Sequence, residues 1–212
     1  MMERELRNQL VAHGKYLSMR GYSPGTSGNL SVRLENGFLM TPTNSSLGWL
    51  EPERLSRLDA DGNHIDGDKP SKEVVVHLAM YRRRSAAGSV VHLHSPHCMA
   101  VSCLDGLDPD NALPPLTPYY VMRIGRLPLL PYFRPGDTAL ANAVEKRAAE
   151  SHAMLLAHHG MIVCGREMGM AVAAAEELEE TARLFLLVKD RPYRHLNTAQ
   201  VTELEETFPR NI

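Results

Sequence analysis

The spacing of apolar residues predicts helices alternating with short strands. Leu6, Leu10, His13 or Gly14, and Leu17 share one face of a helix over residues 3–20, closed by Gly21. A loop of small residues follows, Ser23-Pro24-Gly25-Thr26-Ser27-Gly28-Asn29. Two strands are then predicted, Leu30–Glu35 and Phe38–Thr41, joined by Asn36-Gly37, the strongest short hairpin signal a sequence carries. A second hairpin is read from Leu55–Leu58, Asp61-Gly62 and His64-Ile65. Pro70-Ser71 opens a helix to about Arg84 with Ser71 as its N-cap, and Ser89–Ser95 alternates as a strand. Seven of the fourteen prolines fall between Pro109 and Pro135, which predicts loops with short edge strands. Strands at Met154–Ala157 and Met161–Val163 lie between helices at 138–150 and 167–189. In the last helix Ala171, Ala175, Leu178, Ala182 and Phe185 form a buried seam. No repeat and no linker divides the pattern, so one α/β domain is expected over residues 1–212.

Composition narrows the function classes. A chain of 212 residues can bury one good core. Twenty-three basic against twenty-five acidic residues give a net charge of −2 and no electrostatic case for nucleic acid. Arg82-Arg83-Arg84 reads as a solvated helix end, and Glu176, Glu177, Glu179 and Glu180 as a solvated face with Glu179 paired to Arg183. No run approaches the ~18 apolar residues of a membrane span. The start, Met1-Met2-Glu3-Arg4-Glu5, has no apolar signal core. Three cysteines (Cys98, Cys103, Cys164) without a CxxC argue for a reducing compartment, so the cytoplasm is expected.

One count departs from the average. Of ten histidines, seven fall in residues 77–97 and 152–159. In Val91-His92-Leu93-His94-Ser95 the strand period of two puts both imidazoles on one face and Val91 and Leu93 on the other. Two histidines so held can reach one metal ion, or can serve as a hydrogen-bonded polar face. His97 follows a proline and breaks the alternation, which suits a structural role. In Met154-Leu155-Leu156-Ala157-His158-His159-Gly160 an apolar strand ends in two histidines, of which only one can share the face of the site. Three neutral histidines with an open position suit a catalytic zinc centre.

Glu73 is the carboxylate of interest. Placed in the first turn of the helix capped by Ser71, it meets outward-pointing amides and the charge of Lys72, where a solvated, dipole-favoured role is the alternative. With Asn36-Gly37 as the turn, Glu35 faces Phe38, Leu30 faces Thr43 and Asn29 lies near Asn44. Gly28-Asn29 and Thr43-Asn44 then meet at one end of the ribbon, offering amides and a hydroxyl to a phosphate or carboxylate.

Ser27-Gly28-Asn29-Leu30-Ser31, Thr41-Pro42-Thr43, Lys69-Pro70-Ser71-Lys72-Glu73, His92-Leu93-His94-Ser95 and His159-Gly160 stand in the order and spacing of the class II aldolase/epimerase family. The resemblance covers roughly residues 5–190. Within the family the chain looks most like the 3-oxo-tetronate 4-phosphate decarboxylases. That likeness rests on Gly67-Asp68-Lys69-Pro70-Ser71-Lys72-Glu73, Tyr132-Phe133-Arg134-Pro135-Gly136-Asp137, Cys164-Gly165 and Glu176-Glu177-Leu178-Glu179-Glu180-Thr181-Ala182. The resemblance implies a single-domain three-layer α/β fold, with a mainly antiparallel central sheet flanked by helices.

By the same resemblance, His92, His94 and His159 correspond to ligands of zinc or another divalent metal. Glu73 corresponds to the acid/base residue and a fourth ligand in the empty site. Gly28, Asn29, Thr43, Asn44, Ser71 and Lys72 correspond to the phosphate and substrate pocket. Tyr119, or Tyr120, resembles a catalytic tyrosine that reaches a neighbouring subunit's site in a four-fold tetramer. Two positions depart from the aldolases: Lys72 stands where they usually carry a second Ser, and Asn44 where they carry Gly. No tyrosine follows Tyr193 to close the site as in the aldolases. The implied reaction is loss of CO2 from a small phosphorylated sugar acid, a 3-oxo-tetronate 4-phosphate, giving dihydroxyacetone phosphate through a metal-stabilised enediolate. The alternatives are an aldolase or 4-epimerase acting on fuculose 1-phosphate or ribulose 5-phosphate, and a non-catalytic adducin-like binding module.

Overall fold

A computed structural model of the protein describes residues 2–134 and 136–210; Met1, Pro135, Asn211 and Ile212 lie outside the described residues. Helix α1 (Glu3–Met19) leads into β1 (Asn29–Leu34) and β2 (Gly37–Met40), then two 3-10 turns and the hairpin of β3 (Ser56–Leu58) and β4 (His64–Asp66). Next come α2 (Val74–Arg83), β5 (Ser89–Leu93), α3 (Pro96–Ser102), α4 (Pro118–Arg123), β6 (Leu129–Leu130) and α5 (Thr138–Ala148). A last hairpin, β7 (Ala153–Leu156) and β8 (Gly160–Gly165), precedes α6 (Met168–Val188) and α7 (Thr198–Thr207). The eight-stranded sheet has the order β4-β3-β2-β1-β5-β8-β7-β6. Every pair is antiparallel except β6 with β7, the expected mainly antiparallel sheet.

Strand parity divides the interior into two cores. Val91 and Leu93 of β5, Leu155 of β7 and Val163 of β8 pack with α1, α3, α4 and α6. The alternate residues Val90, Met154, Leu156 and Ile162 pack on the other face with α2 and α5. The central strands are covered on both faces, so they read as nearly unbroken apolar runs. Each fully buried Leu, Ile or Met there contributes ~1.5–3 kcal/mol. Polar exceptions on these strands, among them Asn29 and Ser31 of β1 and His92 of β5, are buried too. Ser31 and His92 alternate with the apolar Val32 and Val91 of the first core, and so lie on the α2 side of the sheet.

The first hairpin differs from its predicted register by two residues. Leu34 faces Gly37 and Ser31 faces Met40, and the turn is Glu35-Asn36. Gly37, at φ +123°, belongs to the strand, and a Cβ there would meet the carbonyl oxygen of Leu58 on β3. Its flexibility is spent on the approach of the third strand as well as on the turn. A two-residue shift keeps every side chain on its face, so Leu30 meets Thr41 and the predicted convergence of segments survives.

Helix α2 also starts later than predicted. Ser71 Oγ accepts the Glu73 amide at 3.2 Å, capping a preliminary turn, and Glu73 itself occupies the N-cap position. Three helices fall where none was predicted. Two carry plain start signals: Ser95-Pro96 opens α3 and Thr117-Pro118 opens α4, with Thr117 Oγ1 accepting the Tyr120 amide at 3.1 Å. The third, α7, carries a capping box between Asn197 and Gln200.

Glu179 corrects the reading of the acidic face of α6. It is 2% exposed, and Arg183 pairs instead with Glu180. Its carboxylate accepts from Ser95 Oγ at 2.6 Å, the ring and amide of His97 at 2.8 Å each, and the Cys98 amide at 2.9 Å. Glu179 thereby caps the N-terminus of α3 from another helix. Burial works to raise its pKa, but these donors outweigh burial and hold it below the ordinary value. The depressed value adds stability above the unfolded carboxyl's pKa, and this is lost as pH falls through the folded value. Glu179→Gln is therefore expected to cost about 2–3 kcal/mol at pH 7, a fall of roughly 4–12 °C in melting temperature. The difference from wild type should shrink when both proteins are melted near pH 3. An undiminished difference at low pH would contradict a role for the charge.

Candidate active site

The site forms at one end of the sheet, where four segments meet. Asn29 opens β1 and lies opposite His92 of β5. His94 follows one residue past the end of β5, and His159 sits in the β7–β8 turn beside Gly160. Gly160 adopts φ +123°, and a Cβ on it would press on the Leu93 carbonyl oxygen, so glycine lets this turn close onto β5. His158 absorbs the left-handed step of the turn at φ +57° and stays exposed, leaving His159 to point inward, 8% exposed. That separates the two neighbours that sequence parity left undivided.

The three imidazoles face one another edge-on, with ring centroids 4.9–5.0 Å apart and interplanar angles of 74–81°. His92 Nε2 lies 3.1 Å from His94 Nε2. The Glu73 carboxylate closes the group, with Oε1 2.9 Å from His159 Nε2 and Oε2 3.3 Å from His92 Nε2. The four donor atoms lie within 4.8 Å of one another. Ligands ~2.0–2.1 Å from a tetrahedral metal are separated by about 3.3 Å, close to the spacing of His92 and His94. His92 Nδ1 donates to the Met161 carbonyl oxygen at 2.7 Å, which turns its Nε2 lone pair inward, the usual arrangement behind a metal-ligating histidine. This donor set fits a divalent cation.

Electrostatics favour the same conclusion. Burial, then His92 and His159, push His94 down to about 4, so its ring is neutral at physiological pH. His92 is fully buried, which alone would lower its pKa, but Glu73 beside it wins and raises it. Glu73 is opposed by burial as well, yet His92, His159 and the Asn29 amide hold it well below the usual carboxylate range. A fixed negative charge among inward-facing nitrogen lone pairs is a place for positive charge.

A cleft of about 340 Å³ adjoins the cluster, lined by Gly28, Asn29, Thr43, Asn44, Ser71, Lys72 and Glu73. Tyr132, Phe133 and His158 line it too, as do His94 and His159 of the cluster. All six residues predicted for the substrate pocket thus border one cavity. Asn44 has φ +56°, a left-handed conformation that asparagine tolerates. Asn29 borders the cleft and also bonds inward: its amide donates to Glu73 Oε2 at 2.7 Å and its carbonyl oxygen meets His77 Nε2 at 2.6 Å. Of the two candidate tyrosines, Tyr120 is buried with its hydroxyl 3.4 Å from the Leu113 carbonyl oxygen, while Tyr119 is 60% exposed. Neither borders the cleft. His77, a helix-face residue expected near the site but not among the metal ligands, lies beside it through Asn29. Its spacing of one helical turn from Glu73 was the available signal that both face the sheet.

The chain belongs to the class II aldolase and adducin N-terminal domain family, whose sequence pattern matches residues 8–186. Among its relatives, the 3-oxo-tetronate 4-phosphate decarboxylase of Haemophilus influenzae is 50% identical over 206 residues, 97% of each chain. The L-fuculose phosphate aldolase of Escherichia coli K12 is 35% identical over 212 residues, covering 98% of this chain and 96% of the aldolase. The crystal structure of YgbL from Escherichia coli superposes with a TM-score of 0.93 at 47% identity, over 95% of this chain and 98% of that one. No helix among the described residues is long and apolar enough to cross a membrane.

Proposed function

We propose that the protein decarboxylates a 3-oxo-tetronate 4-phosphate to dihydroxyacetone phosphate and CO2. The observation that carries this reading is the Glu73–His92–His94–His159 cluster beside a cleft of about 340 Å³, in a chain 50% identical to a decarboxylase of that name and 35% identical to an aldolase. His92, His94 and His159 would hold a divalent metal, which we take to be zinc. Bound there, it supplies Lewis acidity to the oxo group beside the breaking bond.

The remaining chemistry falls to the chain. The C1–C2 bond breaks, its electron pair passes into the 3-oxo group, and C2 of the resulting enediolate takes up one proton. Glu73, which lines the cleft beside the histidines, is the group placed to manage that proton. Gly28, Thr43, Asn44 and Ser71 offer amides and hydroxyls for the phosphate, and Lys72, exposed at the rim, offers charge. Pairing Lys72 to the departing carboxylate would stabilise the ground state and slow the reaction, so its partner is the phosphate. Tyr119 then reaches the site of an adjacent subunit in a cytoplasmic homotetramer, a mass that light scattering reads directly.

The test is incubation of zinc-loaded protein with a 3-oxo-tetronate 4-phosphate, measuring CO2 and dihydroxyacetone phosphate together. Equal yields of both are expected. Turnover of fuculose 1-phosphate or ribulose 5-phosphate in place of the acid would overturn the proposal in favour of an aldolase or epimerase.

A further inference from the structure

Behind Glu73 runs a line of buried polar side chains from β1 and α2. Tyr81 and Ser31 hydroxyls are 2.8 Å apart, Ser31 Oγ is 2.7 Å from His77 Nδ1, His77 Nε2 is 2.6 Å from Asn29 Oδ1, and Asn29 Nδ2 donates to Glu73 Oε2 at 2.7 Å. Asn29, Ser31, His77 and Tyr81 are each at most 4% exposed, so water does not complete these bonds. The charge on Glu73 sets the direction of the whole line. A carboxylate accepts only, so Asn29 turns its NH2 toward Glu73 and its carbonyl toward His77. His77 must then carry its proton on Nε2 and accept at Nδ1, Ser31 donates to His77, and Tyr81 donates to Ser31.

The other contacts of Glu73 are of a different kind. Its approaches to His92 and His159 need a proton on an Nε2 that a bound cation would take over, whereas the Asn29 bond needs none. The line therefore supplies the anchor of Glu73 that survives metal loading. An amide at the last step does not pass protons on, so the line transmits orientation.

We propose that His77 is a positioning residue: through Asn29 it fixes the carboxylate of Glu73 by Oε2, so that Oε1 is the oxygen released when a cation takes the histidine nitrogens. This rests on the reading of Glu73 given under the proposed function. Rigid support of this kind is worth about 10–100-fold in activity around comparable centres.

The experiment uses zinc-loaded protein with Glu73→Gln, His77→Phe, the double variant and His77→Gln, each assayed for kcat, KM and bound zinc. His77→Phe is expected to lower kcat about 10–100-fold with KM and zinc content near wild type, and His77→Gln, which keeps a donor toward Asn29, to recover most of the loss. The double variant is expected to be no slower than Glu73→Gln alone. His77→Phe strands two buried polar groups and can unfold the chain. Tyr81→Phe is the milder second variant, keeping the ring stacked on Phe38 and lowering kcat by a smaller factor. A further readout, independent of turnover, is the tautomer of His77 by 15N chemical shift, expected as Nε2–H in the loaded protein.

Full activity in Glu73→Gln would sink the reading of Glu73, and the His77 proposal with it. A dead Glu73→Gln beside wild-type kcat in folded His77→Phe and Tyr81→Phe would sink the positioning role alone. So would losses that multiply in the double variant, zinc lost along with kcat, or the opposite tautomer.

Discussion

His94→Ala is expected to take the purified protein from about one bound divalent ion per chain to near none, and to abolish turnover with it. His94 supplies one of three inward nitrogens, and the two left cannot hold an open catalytic ion against water and chelators. The same outcome is expected for His92→Ala and His159→Ala. The controls are the neighbours in sequence. His158 is exposed at the cleft wall, and His97 bonds Glu179 on the far side of the sheet from His92. Alanine at either is expected to leave metal content, measured by mass spectrometry of dialysed protein, close to wild type. Equal loss from His97→Ala or His158→Ala would mean that the assigned triad is wrong.

Glu73→Gln has the second large effect. The amide keeps the size and the neutral hydrogen bonds of the side chain but can neither accept nor return a proton. A kcat lower by about 10²–10⁴-fold is expected, equivalent to roughly 3–5 kcal/mol of barrier, while zinc stays bound. Retention of metal matters to the interpretation, because it separates loss of proton handling from loss of the centre. A variant that releases its zinc would instead make Glu73 a structural ligand. Stopped assays of CO2 release alongside proton uptake at C2, followed in deuterated water, distinguish the two.

The extent to which this site can be read from sequence follows from the range of each interaction. Strand parity placed His92 and His94 on one face because it depends only on adjacent residues, and the rings do meet, with centroids 5.0 Å apart. Parity could not choose between His158 and His159, because that choice lies in a left-handed turn closed against β5. Glu179 was unreadable for a similar reason. Its position on α6 looks solvated until the amides of α3 arrive from 82 residues away in sequence. The missed α3 and α4 were more accessible, since Ser95-Pro96 and Thr117-Pro118 announce helix starts locally. The two-residue error in the first hairpin left the faces intact and cost the site nothing, whereas an error of one would have turned Ser31 away from His77.

The position of β5 in the strand order has a kinetic consequence. Every strand on one side of it, β1 to β4, comes from earlier in the chain, and every strand on the other, β6 to β8, from later. The donors straddle this seam: Glu73 precedes β5, His92 and His94 end it, and His159 arrives with the last hairpin. Such widely separated partners assemble late in folding, because long loops must close before the pairings reward them. An ion binding only the completed cluster would leave early folding untouched and act as a latch on the finished molecule. At a thousand times its dissociation constant it would add about 4 kcal/mol against unfolding. Chelation would then be felt first where the two halves of the chain join.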